Sequence, residues 1–226
     1  MKLHYETVSK QLLIYLQKLM AHEVFNDFVL VGGTALSLQL GHRISVDIDL
    51  FTANDYGSMC LEDIKKALTT AFPYTDNLET LNKESIGYTL YIGDSQREEV
   101  KLDLFYTEKM IAPIVQQDGL RLASLQDIAA MKMQAIVNSK RKKDFWDIHE
   151  LLAYFSLDDL IRFGLQRNPY TLNKYDIIDS LLHPEALTQD NEMVCLKGKY
   201  WELIVEDLQT MAKAKIAKLT PKGDLL

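Results

Sequence analysis

The segment VGGTALSLQLGHRISVDIDLF, Val31 to Phe51, constrains the fold of this chain more than any other stretch. It extends a short apolar run of the β type, Phe28-Val29-Leu30-Val31. Gly32-Gly33 ends that run, and Thr34 is expected to cap a helix over Ala35 to Leu40 that Gly41 closes. From Val46 to Phe51, aliphatic residues alternate with Asp47 and Asp49, the period-2 pattern of a strand. A strand, a glycine turn, a helix and a second strand therefore follow one another, which is the beginning of an α/β unit.

Residues at i and i+2 of a strand point the same way, so Asp47 and Asp49 are expected to share one face, with Ile48 and Leu50 on the other. Carboxylates that close repel each other unless a proton or cation intervenes. Paired hard oxygen donors suit Mg²⁺, which binds one or two carboxylates plus substrate phosphates. Asp103, in VKLDLF, lies in a later alternating run and could join the pair from a neighbouring strand. Three such acids could hold two metal ions for displacement at phosphorus. The same pattern also suits a sheet face turned to solvent. The glycine turn upstream adds weight to the first reading, because Gly32, Gly33 and Thr34 at a helix start offer free N–H groups to phosphate oxygens.

Other runs fill in the organisation. Tyr5 to Phe25 and Leu61 to Phe72 read as helices, and GYTLYIG with EEVKLDLFY reads as a hairpin between Ile86 and Phe105. Leu125 to Leu152 is expected as one long helix, on which Lys132, Ile136, Lys140 and Lys143 would share a face and could neutralise a triphosphate. That basic cluster equally fits a solvated helix end. Asp144 and Asp147 could pair with neighbouring bases, while Phe145, Trp146 and Ile148 are expected in the core, as are the aromatic residues around Trp201. Lys213, Lys215, Lys218 and Lys222 read as a solvated helix face. Asn168-Pro169 and His183-Pro184 mark breaks in the helical half. The expected units are residues 1–118, an α/β domain, and 119–226, a helical domain supplying basic residues to the active-site cleft.

Composition excludes several classes. A net charge of −7 argues against a protein that coats nucleic acid. No apolar run approaches the roughly 20 residues of a membrane span. Cys60 and Cys195 stand apart without metal-ligand spacing, as expected of reduced thiols in a cytoplasmic protein.

Taken in order, GGTALSLQLGHRISVDIDLF, KLDLF and MKMQAIVNSKRKKDFWDIHEL resemble the AbiEii/AbiGii toxin family of nucleotidyltransferases, within the polymerase-β-like superfamily. The resemblance spans roughly Leu30 to Leu152 and implies an α+β fold, a mixed sheet with flanking helices followed by a helical half. It implies Mg²⁺, or Mn²⁺, at Asp47, Asp49 and Asp103, and nucleotide phosphates at Gly32, Gly33 and Thr34. It adds Arg43 and Ser45, matches Lys132, Lys143 and Asp144 to a helical motif, and makes Lys132 a catalytic candidate. Ser139 stands where relatives commonly carry Arg, a charge that Lys140 or Arg141 could supply. The implied reaction is NMP transfer from an NTP to a hydroxyl acceptor such as a tRNA 3′ end, by a toxin with a cognate antitoxin protein and no membrane partner. The rivals are a binding protein of the same fold without catalysis, an aspartate phosphatase and a metal-dependent glycosyltransferase. The phosphatase gives the glycine turn no role, and the glycosyltransferase requires neither Asp103 nor the basic segment.

Overall fold

A computed structural model describes residues 2–82, 85–184 and 193–219. The chain divides into two compact units, Met1–Ser124 and Leu125–Leu226.

The first unit is built on a seven-stranded mixed sheet. Its helices are α1 (Lys10–Ala21), α2 (Gly32–Leu40) and α3 (Leu61–Ala71). Its strands are β1 (Val29–Leu30), β2 (Ile48–Thr52), β3 (Tyr74–Asp76), β4 (Gly87–Gly93), β5 (Val100–Tyr106), β6 (Val115–Gln117) and β7 (Leu120–Leu122). They lie in the order β3-β4-β5-β2-β1-β7-β6. The β2–β5 and β1–β7 pairs are parallel, and the others are antiparallel.

Alternation decides which side of the sheet becomes core. Ile48 and Leu50 of β2, Leu102 and Leu104 of β5, and Leu90 and Ile92 of β4 are all buried. Their sequence neighbours Asp49, Phe51, Asp103 and Phe105 remain half-buried on the opposite face. α1 adds Leu12, Tyr15, Leu16 and Leu19 to the core, and Ser9 caps it by accepting from Leu12 N–H at 3.0 Å. Each Leu or Ile so buried contributes on the order of 2 kcal/mol.

The expected helix over Tyr5 to Phe25 is interrupted. Only Lys10–Ala21 is α-helical, with short 3₁₀ turns at Tyr5–Thr7 and Glu23–Phe25. The α/β unit also runs past Asp118, because the β6–β7 hairpin adds to its edge and Ala123 N–H bonds Leu30 O at 2.9 Å.

The second unit is helical: α4 (Leu125–Asn138), α5 (Lys142–Leu151), α6 (Leu157–Arg167), α7 (Lys174–Leu182) and α8 (Trp201–Leu219). The long helix expected from Leu125 to Leu152 is broken, and Lys140 sits between its halves at φ 47°. A lysine in the left-handed region cannot continue an α-helix. Ser156 and Asp159 form a capping box on α6, and Asn173 caps α7. Phe145, Trp146 and Ile148 are buried, as expected, whereas Tyr200 is exposed and Trp201 is half-buried, stacked on Trp146 with centroids 6.3 Å apart. Lys213 and Lys218 face solvent, Lys215 is bound to Asp158, and Lys222 lies outside the described residues. No helix among the described residues is long and apolar enough to cross a membrane.

Candidate active site

The parallel pairing of β2 with β5 sets Asp49 beside Asp103, and the antiparallel pairing of β4 with β5 sets Thr89 on the other flank of Asp103. Thr89 Oγ1 donates to Asp103 Oδ1 at 2.7 Å, and the Lys101 ammonium bonds Asp103 Oδ2 at 2.5 Å. Lys101 and Asp103 are i, i+2 on β5, so strand geometry alone puts the amine on the acid face. Partial burial acts to lower the affinity of the Lys101 amine for its proton. The hydrogen bond and charge of Asp103, together with the charges of Asp47 and Asp49, override it and hold the pKa above its ordinary value. The charges of all three aspartates thus act on this amine.

Asp49 also reaches the start of α2. Gly32 takes φ +67°, and a Cβ built there would stand 2.3 Å from Asp49 Oδ2. Only glycine permits both that backbone conformation and that approach. At Gly33 a Cβ would stand 2.2 Å from a terminal nitrogen of Arg43, so the glycine pair is flanked by a carboxylate and a guanidinium. Arg43 is buried and donates from Nη1 to Ile44 O at 3.1 Å. The first N–H groups of α2 have no partner within the helix and carry its positive dipole end, which suits an anion.

Thr34 does not cap this helix; Val31 holds the cap position in an extended conformation, and α2 begins at Gly32. The Thr34 hydroxyl donates instead to the Asp47 carbonyl at 2.5 Å and shares a hydrogen bond with Ser45 at 2.8 Å. Ser45 N–H in turn donates to Thr7 O at 2.8 Å. These bonds tie the approach to β2 onto α2, and they place Asp47 just before the strand rather than within it.

In the helical unit, Lys132 is buried on α4 and bonds Asp144 Oδ1 and Asp147 Oδ2, both at 2.6 Å. Asp144 and Asp147 lie one turn apart on α5, and Arg141 Nε reaches Asp144 Oδ2 at 2.8 Å. Burial alone would raise the Asp144 pKa; the charges and hydrogen bonds of Lys132 and Arg141 prevail and lower it. Asp144 and Asp147 thus pair with neighbouring bases, as their spacing allowed. The shared face of Lys132, Ile136, Lys140 and Lys143 does not form, because α4 ends at Asn138 and α5 starts anew at Lys142. Lys140 lies in the connection, and Lys143 is half-buried in the first turn of α5.

The sheet unit therefore pairs Lys101 with Asp103, with the charges of Asp47 and Asp49 also acting on that amine, and sets Asp49 and Arg43 against Gly32 and Gly33. Lys101 and Thr89 escaped the sequence reading, although the alternation of KLDLF already puts Lys101 on the face of Asp103. The clasp on Glu150 by Lys197 and by Lys199 at 2.7 Å was also missed, and no spacing signal announces it. Among the described residues, no group of His, Cys, Asp or Glu is arranged to hold a metal ion. The Lys101 ammonium bonds Asp103 on this face.

Comparison with known proteins identifies the family. A model described as "Nucleotidyl transferase AbiEii toxin, Type IV TA system" matches residues 14–197. An uncharacterized protein of Aquifex aeolicus (strain VF5) is 32% identical over 209 residues, covering 88% of this chain and 92% of the relative. Among solved structures, JHP933 from Helicobacter pylori superposes with a TM-score of 0.53 at 20% identity, covering 92% of this chain and 90% of its own. MenT4, a nucleotidyltransferase toxin from Mycobacterium tuberculosis H37Rv, gives a TM-score of 0.54 at 13% identity, covering 89% and 82%. At those identities the two structures speak for the fold alone, and the family rests on the sequence model. The chain belongs to the AbiEii family of nucleotidyltransferase toxins of type IV toxin–antitoxin systems.

Proposed function

We propose that the protein transfers a nucleoside monophosphate from an NTP to a hydroxyl acceptor, with a tRNA 3′ end as the acceptor, and that a cognate antitoxin opposes it in the cytoplasm. The observation that carries the reading is the approach of Asp49 to Gly32, where a Cβ would fall 2.3 Å from the carboxylate. It joins an acid face, suited to a cation, directly to a helix start suited to phosphate.

The roles follow from those positions. The N–H groups at the start of α2, with Arg43 beside Gly33, hold the phosphates of the NTP. Thr34 and Ser45 keep the segment before β2 fixed, so that Asp47 and Asp49 stay aligned. Asp47, Asp49 and Asp103 are carboxylate donors of the class Mg²⁺ and Mn²⁺ take, and an ion held there would neutralise charge on the phosphoryl oxygens and on the leaving pyrophosphate. The acceptor oxygen bonds to the α-phosphorus, the α–β phosphoanhydride bond breaks, and the hydroxyl proton passes to Asp103, which Thr89 keeps oriented. Positioning and charge placement supply the rate. In the helical unit, Lys132 is assigned to catalysis, and Lys140, Arg141, Lys143 and Asp144 to nucleotide binding, on the family resemblance.

Label transfer tests the proposal. The protein is incubated with Mg²⁺, each α-labelled NTP in turn and total bacterial RNA, beside Asp47→Ala and Asp103→Ala. Label in a tRNA band that depends on both aspartates is the expected result. Label on another RNA or on protein replaces the acceptor. No transfer, with NTP binding intact, favours a fold kept for binding alone.

A further inference from the structure

Two neighbouring rows on the acid face cross β2, β5 and β4. One row is Asp49, Asp103 and Thr89, and the next is Phe51, Phe105 and Gly87. Each member of the second row stands two residues along its strand from a member of the first, so the rows share a face about 7 Å apart. Phe51 and Phe105 are half-buried, and their rings pair with centroids 5.6 Å apart at 46°. Gly87 sets how the Phe105 ring lies. A Cβ there would stand 2.1 Å from Cδ1 of the ring, 2.3 Å from Cγ and 2.5 Å from Cε1. An edge-on ring would bring one of those atoms much closer than the others, so the ring lies face-on over the glycine. Its opposite face is turned away from β4.

The rings also have a definite place relative to α2. Val29 pairs with Phe51, Val31 N–H donates to Asp49 O, and Gly32 meets the Asp49 carboxylate. β1 therefore runs from the level of the rings to the level of Asp49 before α2 begins. A flat apolar surface, a carboxylate and a helix start suited to phosphate follow one another on this side of the sheet. A nucleotide has its parts in the same order, a planar base at one end and phosphates at the other, with a ribose between.

We propose that Phe51 and Phe105 form the shelf on which the base of the NTP stacks while its phosphates lie at the start of α2. This rests on the functional reading above, because it takes the start of α2 as the phosphate site. Every base has a π-face, so such a shelf adds affinity without reading the identity of the base. Gly87 belongs to the shelf by leaving room for the Phe105 ring to lie down on β4.

The test is calorimetric titration of the full chain, in Mg²⁺ and without acceptor, with two probes. One is the NTP that wild type binds most tightly, and the other is inorganic tripolyphosphate, which has the phosphates and no base. Wild type is compared with Phe51→Leu, Phe105→Leu, Phe105→Tyr and Gly87→Ala. The two Leu variants are expected to weaken NTP binding roughly tenfold and to leave tripolyphosphate binding unchanged. Phe105→Tyr, which keeps the ring, is expected to stay near wild type. Gly87→Ala keeps both rings but lifts one off β4, and it too is expected to weaken the NTP and not tripolyphosphate. It also guards against a Leu variant that fails to fold. Equal losses for both probes would make the rings a matter of sheet packing and overturn the shelf. Unchanged NTP binding in the Leu variants, with or without a higher KM for acceptor RNA, overturns it as well and leaves the functional reading standing. A wild type that binds neither probe overturns both.

Discussion

Lys101 in the sheet unit and Lys132 in the helical unit each meet aspartate at hydrogen-bonding distance, 2.5 Å to Asp103 and 2.6 Å to both Asp144 and Asp147. Their surroundings differ. The Lys132 side chain is 6% exposed, its two aspartates are wholly buried, and Arg141 adds a second cation. Lys101 is 34% exposed, and its partner Asp103 is 14% exposed. Where cations match carboxylates in a dry interior, the group fixes the packing of α4 on α5. Where the pair is part-exposed, water screens it and it contributes less to cohesion. The same residue types therefore contribute unequally to cohesion in the two units, and burial decides how much.

The largest expected effect breaks the acid face. Asp49→Asn removes a charge without changing shape, and nucleotidyl transfer is expected to fall by about a thousandfold, which corresponds to roughly 4 kcal/mol of transition-state stabilisation. Urea unfolding of the same variant is expected to shift by no more than about 1 kcal/mol, because the site is half-buried and the amide keeps the shape of the carboxylate. A loss of stability comparable to the loss of activity would make Asp49 a structural residue and collapse the contrast.

Lys132→Met attacks the other side of the comparison. It strands Asp144 and Asp147 in the interior with less compensation, and breaking a buried pair in this way costs about 3–5 kcal/mol. Chemical denaturation should show that loss, with the transition of the helical unit moving first. Lys101→Met, at a part-exposed pair, should cost far less. If both lysines cost the same, burial is not what separates the two groups.

Gly32 sharpens the picture within the sheet unit. Gly57 also has a positive φ, of +81°, but nothing stands within 4 Å of the Cβ it lacks. Gly57→Ala should therefore cost only the left-handed strain, about 1–2 kcal/mol. Gly32→Ala carries the same strain and must also displace the Asp49 carboxylate. It is expected to cost about 1 kcal/mol more and to lower transfer activity, whereas Gly57→Ala leaves activity near wild type. Equal effects on both readouts would mean that the closeness of Gly32 to Asp49 has no functional weight.

Much of this is written locally in the sequence. The alternation of VDIDLF and KLDLF assigns Asp49 and Asp103 to the face opposite Ile48, Leu50, Leu102 and Leu104, and that assignment holds because a one-residue slip would bury the acids. Gly41 ends α2 at φ +66°, as a glycine after a helical run should. The chain order of the motifs sufficed to suggest the family. Local pattern failed where a long-range partner decided the outcome. Thr34 has the chemistry of an N-cap, but its hydroxyl is taken by the Asp47 carbonyl and Ser45. The segment from Leu125 to Leu152 has helical composition throughout, yet it folds back at Lys140 so that Asp144 and Asp147 can reach Lys132. Glu150 finds Lys197 and Lys199 across a separation of about fifty residues, which no periodicity encodes.

The smallest expected effect concerns pH, and it separates the units once more. In the helical unit, Asp144 is held below its ordinary value of 3.8 by Lys132 and Arg141 against the opposing effect of burial. Glu150 is held below 4.5 by Lys197 and Lys199, again against burial. A carboxyl whose pKa is lower folded than unfolded binds fewer protons in the folded state. Its stabilisation is complete above the unfolded value and is lost as pH falls through the folded one. The urea midpoint of the helical unit should accordingly be flat from pH 7 down to pH ~5 and drop below pH ~4. In Lys132→Met the Asp144 part of that drop should shrink, because the cation that lowers its pKa is gone, while the Glu150 part remains. An acid limb of unchanged steepness in Lys132→Met would show that Asp144 does not owe its low pKa to Lys132, and that the buried clasp is not the electrostatic unit its distances describe.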